Sequence, residues 1–364
     1  MKKNQDKKVV VAMSGGVDSS VVAALLKNQG YNVMGVFMQF WFPSGEKYGE
    51  NRCCSLAAWN EAKEVAHLLD IPIHKVNFGK EFKKIIVDEF LAEYKAGRTP
   101  NPCVACNKFI KFKLLLDYAR TVFDADYVAT GHYVRLKPQV KNLKTGAIRQ
   151  FDLYRPKDKN KDQTYFLYNL KQEQLKHLLF PLAGYTKDQV RGLAKKFKLA
   201  VHAKPDSQEI CFVGQSHTRF LKKYLGLKEG EIINEKGEAV GKHQGLSLYT
   251  LGQRSGIGLS GGPWYVIGFN RKKNKLVVSK KFDSDKLYNR RVFFKSANWL
   301  TGKIQLPLSC EAQIRYHVRP EKCRVKKIGR RYLAEFVQSP RAATPGQSIV
   351  FYDNNQLLGG GVIE

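Results

Sequence analysis

The chain has 364 residues, enough for two or three domains with substantial cores. Its 62 Lys plus Arg against 32 Asp plus Glu leave a formal charge of +30, which points to a polyanionic partner; no apolar run approaches the ~18 residues that a membrane-spanning helix needs. The opening Met1-Lys2-Lys3-Asn4-Gln5-Asp6-Lys7-Lys8 meets its first apolar stretch without a signal-type hydrophobic region, so a cytoplasmic protein with no membrane anchor is expected.

The first predicted element is a short buried strand over Val9 to Met13, followed by Ser14-Gly15-Gly16-Val17-Asp18-Ser19-Ser20 and a helix through Val21 to Asn28. Two glycines allow a tight turn that brings backbone N–H groups to an anion, and a helix start favours negative charge. No Gly-Lys-Ser/Thr follows and the run does not have the Gly-x-Gly-x-x-Gly pattern, so this is not a Walker A or dinucleotide loop. It resembles instead the Ser-Gly-Gly-x-Asp-Ser pyrophosphate loop of ATP-pyrophosphatases; the plain alternative is an ordinary strand-turn-helix corner.

Further strands are expected over Tyr31 to Met38, Ile73 to Phe78 and Tyr127 to Thr130. Helices are suggested by Trp59, Ala62, Val65, Ala66 and Leu69, by Phe82, Ile85, Ile86, Phe90 and Tyr94, and by Ile110, Leu114, Leu115 and Tyr118. This alternation predicts an α/β, doubly wound parallel sheet with ligands beyond the carboxyl ends of its strands, where Ser14-Gly15-Gly16, Met38 and Gly131-His132 fall. A hairpin over Tyr133 to Leu136 and Phe151 to Tyr154 follows, then a capping box at Thr186-Lys187-Asp188-Gln189 that opens a helix.

Pro205-Asp206-Ser207 reads as a boundary, which gives domains at 1–205, 206–285 and 286–364. The second is small, mixed and Gly-rich. In the third, Cys310, Ala312, Ile314 and Tyr316 alternate with polar residues, and turn signals at Gly329, Pro345-Gly346 and Asp353-Asn354-Asn355 divide short strands, as a C-terminal β-barrel requires. Residues 135–204 hold 17 basic and 5 acidic side chains and residues 286–364 hold 14 and 5, two basic surfaces suited to a large nucleic acid.

Seven cysteines in a chain without an export signal read as reduced thiols. In Asn101-Pro102-Cys103-Val104-Ala105-Cys106-Asn107-Lys108 the prolines favour an extended connector, which puts Cys106 at or just before a helix start beside Lys108 and Lys111, a setting that favours the thiolate. The Cys103-x-x-Cys106 spacing equally admits half a zinc site or a redox pair, although the adjacent Cys53-Cys54 supplies no matching half-site. Cys211 lies in an apolar-flanked stretch that reads equally as a strand with a buried, inert thiol. Cys310 reads as core; Cys53, Cys54 and Cys323 carry no signal.

These segments, with Ala129-Thr130-Gly131-His132-Tyr133, Lys161-Asp162-Gln163-Thr164-Tyr165-Phe166-Leu167, Asp206-Ser207-Gln208-Glu209-Ile210-Cys211-Phe212, Thr250-Leu251-Gly252-Gln253-Arg254, Thr344-Pro345-Gly346-Gln347 and Leu358-Gly359-Gly360-Gly361, resemble the tRNA-specific 2-thiouridylase family, in order and over essentially the whole chain. The resemblance implies ATP-dependent 2-thiolation of the wobble uridine of tRNA, with Mg²⁺ beside ATP, release of AMP and pyrophosphate, and a persulfide-donating partner protein such as a relay protein or cysteine desulfurase. It implies Cys106 as nucleophile, Cys211 as persulfide carrier and a transient disulfide between them. ATP falls to Ala12, Met13, Ser14, Gly15, Gly16, Val17, Asp18, Ser19, Met38 and Gly131, the target base to Asn101, Pro102 and Cys103, and tRNA to Lys161, Asp162, Gln163, Arg315 and Tyr316. No resident metal site is implied. Cys103 departs from many relatives, which carry Asp there, and this favours Cys106 as the nucleophile.

Overall fold

A computed structural model describes residues 4–43, 55–142, 147–206, 210–213, 216–302 and 304–364. Cys53, Cys54, Ser207, Gln208 and Glu209 lie outside the described residues. In β1 (Lys8–Ala12) Val10 faces one apolar core while Val9 and Val11 face a second, so both sides of the strand are covered. That is why it reads as a continuous apolar run. A helix at Val17–Asn28 leads to β2 (Asn32–Gln39), a helix at Leu56–Leu68 capped by the Ser55 hydroxyl, and β3 (Ile73–Asn77). Helical segments over 79–95 and 102–122, each with a π-helical stretch at Lys83–Val87 and Cys106–Leu114, precede β4 (Tyr127–Ala129).

Next come β5 (Arg135–Asn142), β6 (Ala147–Tyr154) and β7 (Leu178–Leu179). The first sheet has the order β3-β2-β1-β4-β7 and is parallel throughout. β1 lies between β2 and β4, so the chain leaves it at the switch point of the sheet, the place where open α/β sheets bind ligands. The expected capping box is present: the Thr186 hydroxyl accepts from the Gln189 N–H, the Gln189 side chain accepts from the Thr186 N–H, and the helix Lys187–Lys196 follows.

The middle region folds as a sheet of β8 (Gly230–Ile233), β9 (Ala239–His243), β10 (Tyr265–Asn270) and β11 (Lys275–Ser279) in the order β10-β11-β8-β9. The C-terminal region forms β12 (Arg291–Trp299), β13 (Leu308–Gln313), β14 (Glu321–Ile328), β15 (Arg331–Phe336), β16 (Ser348–Asp353) and β17 (Gln356–Ile363). The order β12-β15-β14-β13-β16-β17 closes through β12–β17 into a six-stranded antiparallel barrel.

Two features depart from the sequence reading. The β5–β6 hairpin belongs in sequence to the first domain, yet β6 pairs with β17 at Gln356↔Tyr154 and Leu357↔Leu153 and so extends the barrel sheet. The segment after Asp206, assigned above to the middle domain, packs with the first: Phe212, Val213, Phe220 and Leu221 share a core with Phe82 and Phe90. A local Pro-Asp-Ser turn signal marks a bend, and the apolar residues beyond it decide which core the chain joins. Among the described residues no helix is long and apolar enough to cross a membrane, and no group of three or more His, Cys, Asp or Glu has the geometry to hold a metal.

Candidate active site

The loop after β1 is held by its own hydroxyls. The Ser14 N–H donates to the Ser19 Oγ at 3.2 Å, the Ser19 hydroxyl donates to the Gly16 carbonyl at 3.1 Å, and the Ser20 hydroxyl donates to the same carbonyl at 2.9 Å. Gly16 is the N-cap, with extended backbone, while Gly15 has φ +68. A Cβ on Gly15 would stand 2.9 Å from Ala58 Cα and closer still to its carbonyl oxygen, so glycine is required by both conformation and space. Met13 and Val17 are buried and offer the site backbone only; the Met13 N–H itself donates to the Val36 carbonyl at 2.9 Å.

Ala12 ends β1, Met38 lies near the end of β2, and Gly131 follows β4. A Cβ on Gly131 would lie 2.9 Å from the Asp18 Cβ and 3.2 Å from the Ser19 N, so this loop lies directly against the helix start. All the nucleotide residues expected from the sequence thus stand at the carboxyl ends of three neighbouring strands.

Around Asp18 the structure assembles a charged network for which the sequence has no local signal. The Tyr133 hydroxyl donates to Asp18 Oδ1 at 2.9 Å and the Lys187 ammonium to the same oxygen at 2.8 Å. Lys187 also meets Asp206 at 2.7 Å, and Asp206 receives Lys161 at 2.6 Å and Arg191 at 3.4 Å. Lys204 donates to the Gly15 carbonyl at 3.2 Å and pairs with Glu61. Burial alone would raise the Asp206 carboxyl, but hydrogen bonds from Lys161 and Lys187 outweigh it and leave the group below its usual range. Burial, reinforced by the Asp18 carboxylate, pushes the Tyr133 phenol well above its ordinary value, so Tyr133 remains a donor. Lys161, expected at a tRNA contact, is linked to Asp18 only through Asp206 and Lys187.

Its neighbours are built inward. Asp162 is buried; its Oδ1 accepts from the Thr164 N–H at 2.9 Å and hydroxyl at 2.7 Å, and its Oδ2 pairs with Arg155, whose guanidinium lies 3.9 Å over the Tyr352 ring. Gln163 Oε1 accepts from the Tyr133 N–H at 2.9 Å, which fixes the residue that serves Asp18. Arg315, expected at a tRNA contact, has Nη2 on the Thr344 hydroxyl at 3.0 Å, and burial lowers its guanidinium below the usual value. Asp162 has both carboxylate oxygens engaged within the protein, where it holds Thr164 and Arg155 in place.

Cys106 needs a correction. Asn101 is the N-cap, its Oδ1 accepting from the Val104 N–H at 3.3 Å, and Pro102 occupies the first helical position, where its missing N–H costs nothing. The helix therefore begins within the segment read as an extended connector. Cys103 stands exposed in its first turn, and Cys106, 8 % exposed, opens the π-helical stretch. Single π-turns recur at functional sites.

Cys106 belongs to an apolar cluster that Cys211 packs against, so two thiols distant in sequence share one environment. Cys211 lies in a turn, not a strand; the next residue, Phe212, meets Phe82 at 5.7 Å and Phe90 at 5.1 Å, ring centre to ring centre.

Tyr316 lies beyond the end of β13, off the alternation that suggested a core strand residue. Its ring is 4.4 Å from that of Phe166, and burial, with Asp162 and Cys103 nearby, pushes its phenol up to about 12. Asn107, directly after Cys106, donates to the Phe166 carbonyl at 3.4 Å and leaves a buried Oδ1 with no hydrogen-bond partner. The helix start and the aromatic pair meet here, with Cys106 in the core below and Cys211 packed against the same extensive core, while Cys310 and Cys323 face each other in the barrel at 3.8 Å, in a separate cluster.

Three family models tile the chain: "tRNA methyl transferase HUP domain" over residues 7–215, "tRNA methyl transferase PRC-barrel domain" over 218–280 and "Aminomethyltransferase beta-barrel domain" over 289–363. A tRNA-specific 2-thiouridylase MnmA of Carboxydothermus hydrogenoformans is 45% identical over 98% of this chain and 98% of its own length. The same-named proteins of Buchnera aphidicola subsp. Schizaphis graminum and Clostridioides difficile are 45% and 43% identical, over 100% and 99% of this chain and 98% of each of theirs. A likeness that runs from end to end at this level, through the glycine loop, the thiol-bearing helix and the barrel alike, shows that the chain belongs to the tRNA-specific 2-thiouridylase family.

Proposed function

We propose that this protein is a tRNA-uridine 2-sulfurtransferase that spends one ATP to replace the C2 oxygen of the wobble uridine by sulfur. The observation that carries the reading is a buried Cys106 on a helix in the domain whose sheet carries the glycine loop at its switch point, with Cys211 packed against the same extensive core. Methyl transfer, the chemistry in two of the family-model descriptions, has no use for a pyrophosphate loop with a thiol pair. A synthetase for a small molecule has no use for a charge of +30.

In this reading the uracil O2 attacks the α-phosphorus of ATP, pyrophosphate leaves, and C2 acquires AMP as a leaving group. Ala12 to Ser19, Met38 and Gly131 surround the nucleotide, with the helix start after Gly16 offering its N–H groups to the phosphates; the Met13 and Ser14 N–H groups are spent inside the protein. Asp18, a carboxylate at the loop with Oδ1 oriented by Tyr133 and Lys187, would hold a Mg²⁺ ion, which would supply charge neutralisation of the phosphates. Lys187, Lys204 and Lys161 stand where the departing pyrophosphate needs counter-charge.

Cys211 receives a persulfide from a donor protein. The Cys106 thiolate attacks Cys211 Sγ, the persulfide S–S bond breaks, and hydrosulfide leaves with the electron pair while a Cys106–Cys211 disulfide forms. Hydrosulfide adds to C2, loses its proton, and AMP departs; a thiol reductant then restores both cysteines.

To reach C2 the base must leave the anticodon loop, at a cost of a few kcal/mol of stacking that aromatic contacts offset. Tyr316 and Phe166 supply that surface, Asn101, Pro102 and Cys103 border it, and Lys161, Asp162, Gln163 and Arg315 shape its walls.

The test is nucleoside mass spectrometry of tRNA incubated with the protein, ATP, Mg²⁺ and a sulfur source. Cys106→Ser and Cys211→Ser each abolish 2-thiouridine while tRNA affinity stays at the wild-type level; normal thiouridine with either variant refutes the assignment.

A further inference from the structure

The segments Thr250-Leu251-Gly252-Gln253-Arg254 and Thr344-Pro345-Gly346-Gln347 take no part in the chemistry above, yet the structure joins them at one place. The Thr99 N–H donates to the Pro345 carbonyl at 2.9 Å, Gln347 Nε2 donates to the Thr99 carbonyl at 2.9 Å, and the Thr99 and Thr250 hydroxyls stand 3.2 Å apart. Arg315, whose Nη2 donates to the Thr344 hydroxyl at 3.0 Å, also reaches the Leu251 carbonyl at 3.5 Å and ties the barrel to the middle region at the same joint. First domain, middle sheet and barrel therefore meet at Thr99.

A groove of about 580 Å³ opens at this joint, lined among others by Thr99, Tyr249, Thr250, Phe269, Arg271 and Lys272. Its cationic wall is shaped: Arg271 Nη2 donates to the Gly97 carbonyl at 2.6 Å, and its guanidinium lies 5.0 Å over the Phe269 ring. Gly97 has φ +74, and a Cβ there would overlap the Arg271 guanidinium, so the glycine leaves the space that the arginine fills. Arg271 and Lys272 are both exposed.

We infer that this groove receives the nucleotide next to the target uridine, its phosphate on Arg271 and Lys272 and its base against the Phe269–Arg271 surface. The inference rests on the proposed contact of Asn101 to Cys103 with the target base. Thr99 lies two residues before Asn101, and two residues of chain reach at most about 7 Å, close to one nucleotide step along a single strand. Guanidinium planes and aromatic rings are the surfaces on which splayed RNA bases stack, and a phosphate fits two adjacent cations.

The experiment is a double-mutant cycle on an anticodon stem-loop RNA whose phosphates flanking the target uridine are replaced, one at a time, by uncharged methylphosphonates. Wild type loses about tenfold in affinity at one of the flanking positions. Arg271→Gln/Lys272→Gln, and Lys272→Gln as a milder variant that leaves the Gly97 bond intact, lose less than wild type at that same position, because the contact is already gone. The salt slope of RNA binding falls by about one for each cation removed. Equal losses in wild type and variants at every position overturn the groove assignment while leaving the proposed activity standing. Failure of wild type to bind or thiolate the unmodified stem-loop overturns the proposed activity, and the groove assignment with it.

Discussion

The two glycines of the loop look alike in sequence, and the structure separates them. Gly15→Ala places a residue at φ +68, which costs about 1–2 kcal/mol for an L-side chain. It also drives a Cβ into the backbone of Ala58, on the helix Leu56–Leu68, where no flexible side chain can yield. Overpacking of this kind costs about 1–3 kcal/mol, so the sum is about 2–5 kcal/mol. In a domain of this size that lowers the melting temperature by roughly 5–15 °C.

Gly16 has φ −101 and ψ 162, open to any residue, and the nearest atom to its Cβ is the Ser14 Oγ at 3.4 Å. Gly16→Ala loses only a modest capping preference, below about 1 kcal/mol. Its new methyl group does project into the loop proposed to bind phosphate, so ATP affinity falls without loss of fold. Thermal melts of both variants, with ATP binding measured alongside, separate the two effects. Equal melting of Gly15→Ala and wild type, or a larger loss for Gly16→Ala, refutes this account of the loop.

Lys187→Met removes a side chain, 11% exposed, that serves two carboxylates; pyrophosphate release falls about 100-fold and Lys187→Arg restores part of it. A wild-type release rate with only a lowered melting temperature would reduce Lys187 to a strut. His132 is buried, bonded to the Thr130 hydroxyl at 2.7 Å, and burial holds its imidazole well below its ordinary value of 6.5. Below pH 6.5 the unfolded chain takes up a proton there that the folded protein does not, so stability falls as pH drops from 6.5 towards 5. His177 and His217, also lowered by burial, act in the same direction. Denaturant titrations across this range give a shallower acid loss for His132→Gln; an unchanged slope removes His132 from the account.

Much of the nucleotide loop was readable in one dimension because strand, turn and helix are contiguous there and each is set by short-range rules: period of burial, glycine backbone, helix start. Thr186 to Gln189 was legible for the same reason. Cys106 was not: a proline can stiffen a connector or begin a helix, and the local pattern is the same until the N-cap at Asn101 is seen. Asp162 shows the converse limit, since a carboxylate in a basic segment looks like a surface partner until Thr164 and Arg155 are found enclosing it.

By itself the chain's order of residues determined the alternating α/β pattern, the glycine turn after the first strand, the barrel and the excess of positive charge, because periodicity, turn chemistry and composition act over neighbouring residues. Only the folded molecule decided that Lys187 bridges Asp18 and Asp206, that the β5–β6 hairpin joins the barrel, and that Cys106 and Cys211 share a cluster. Each of these pairs residues far apart along the chain. Their meeting is set by which apolar faces bury against one another, a choice made by the whole core and written in no single segment.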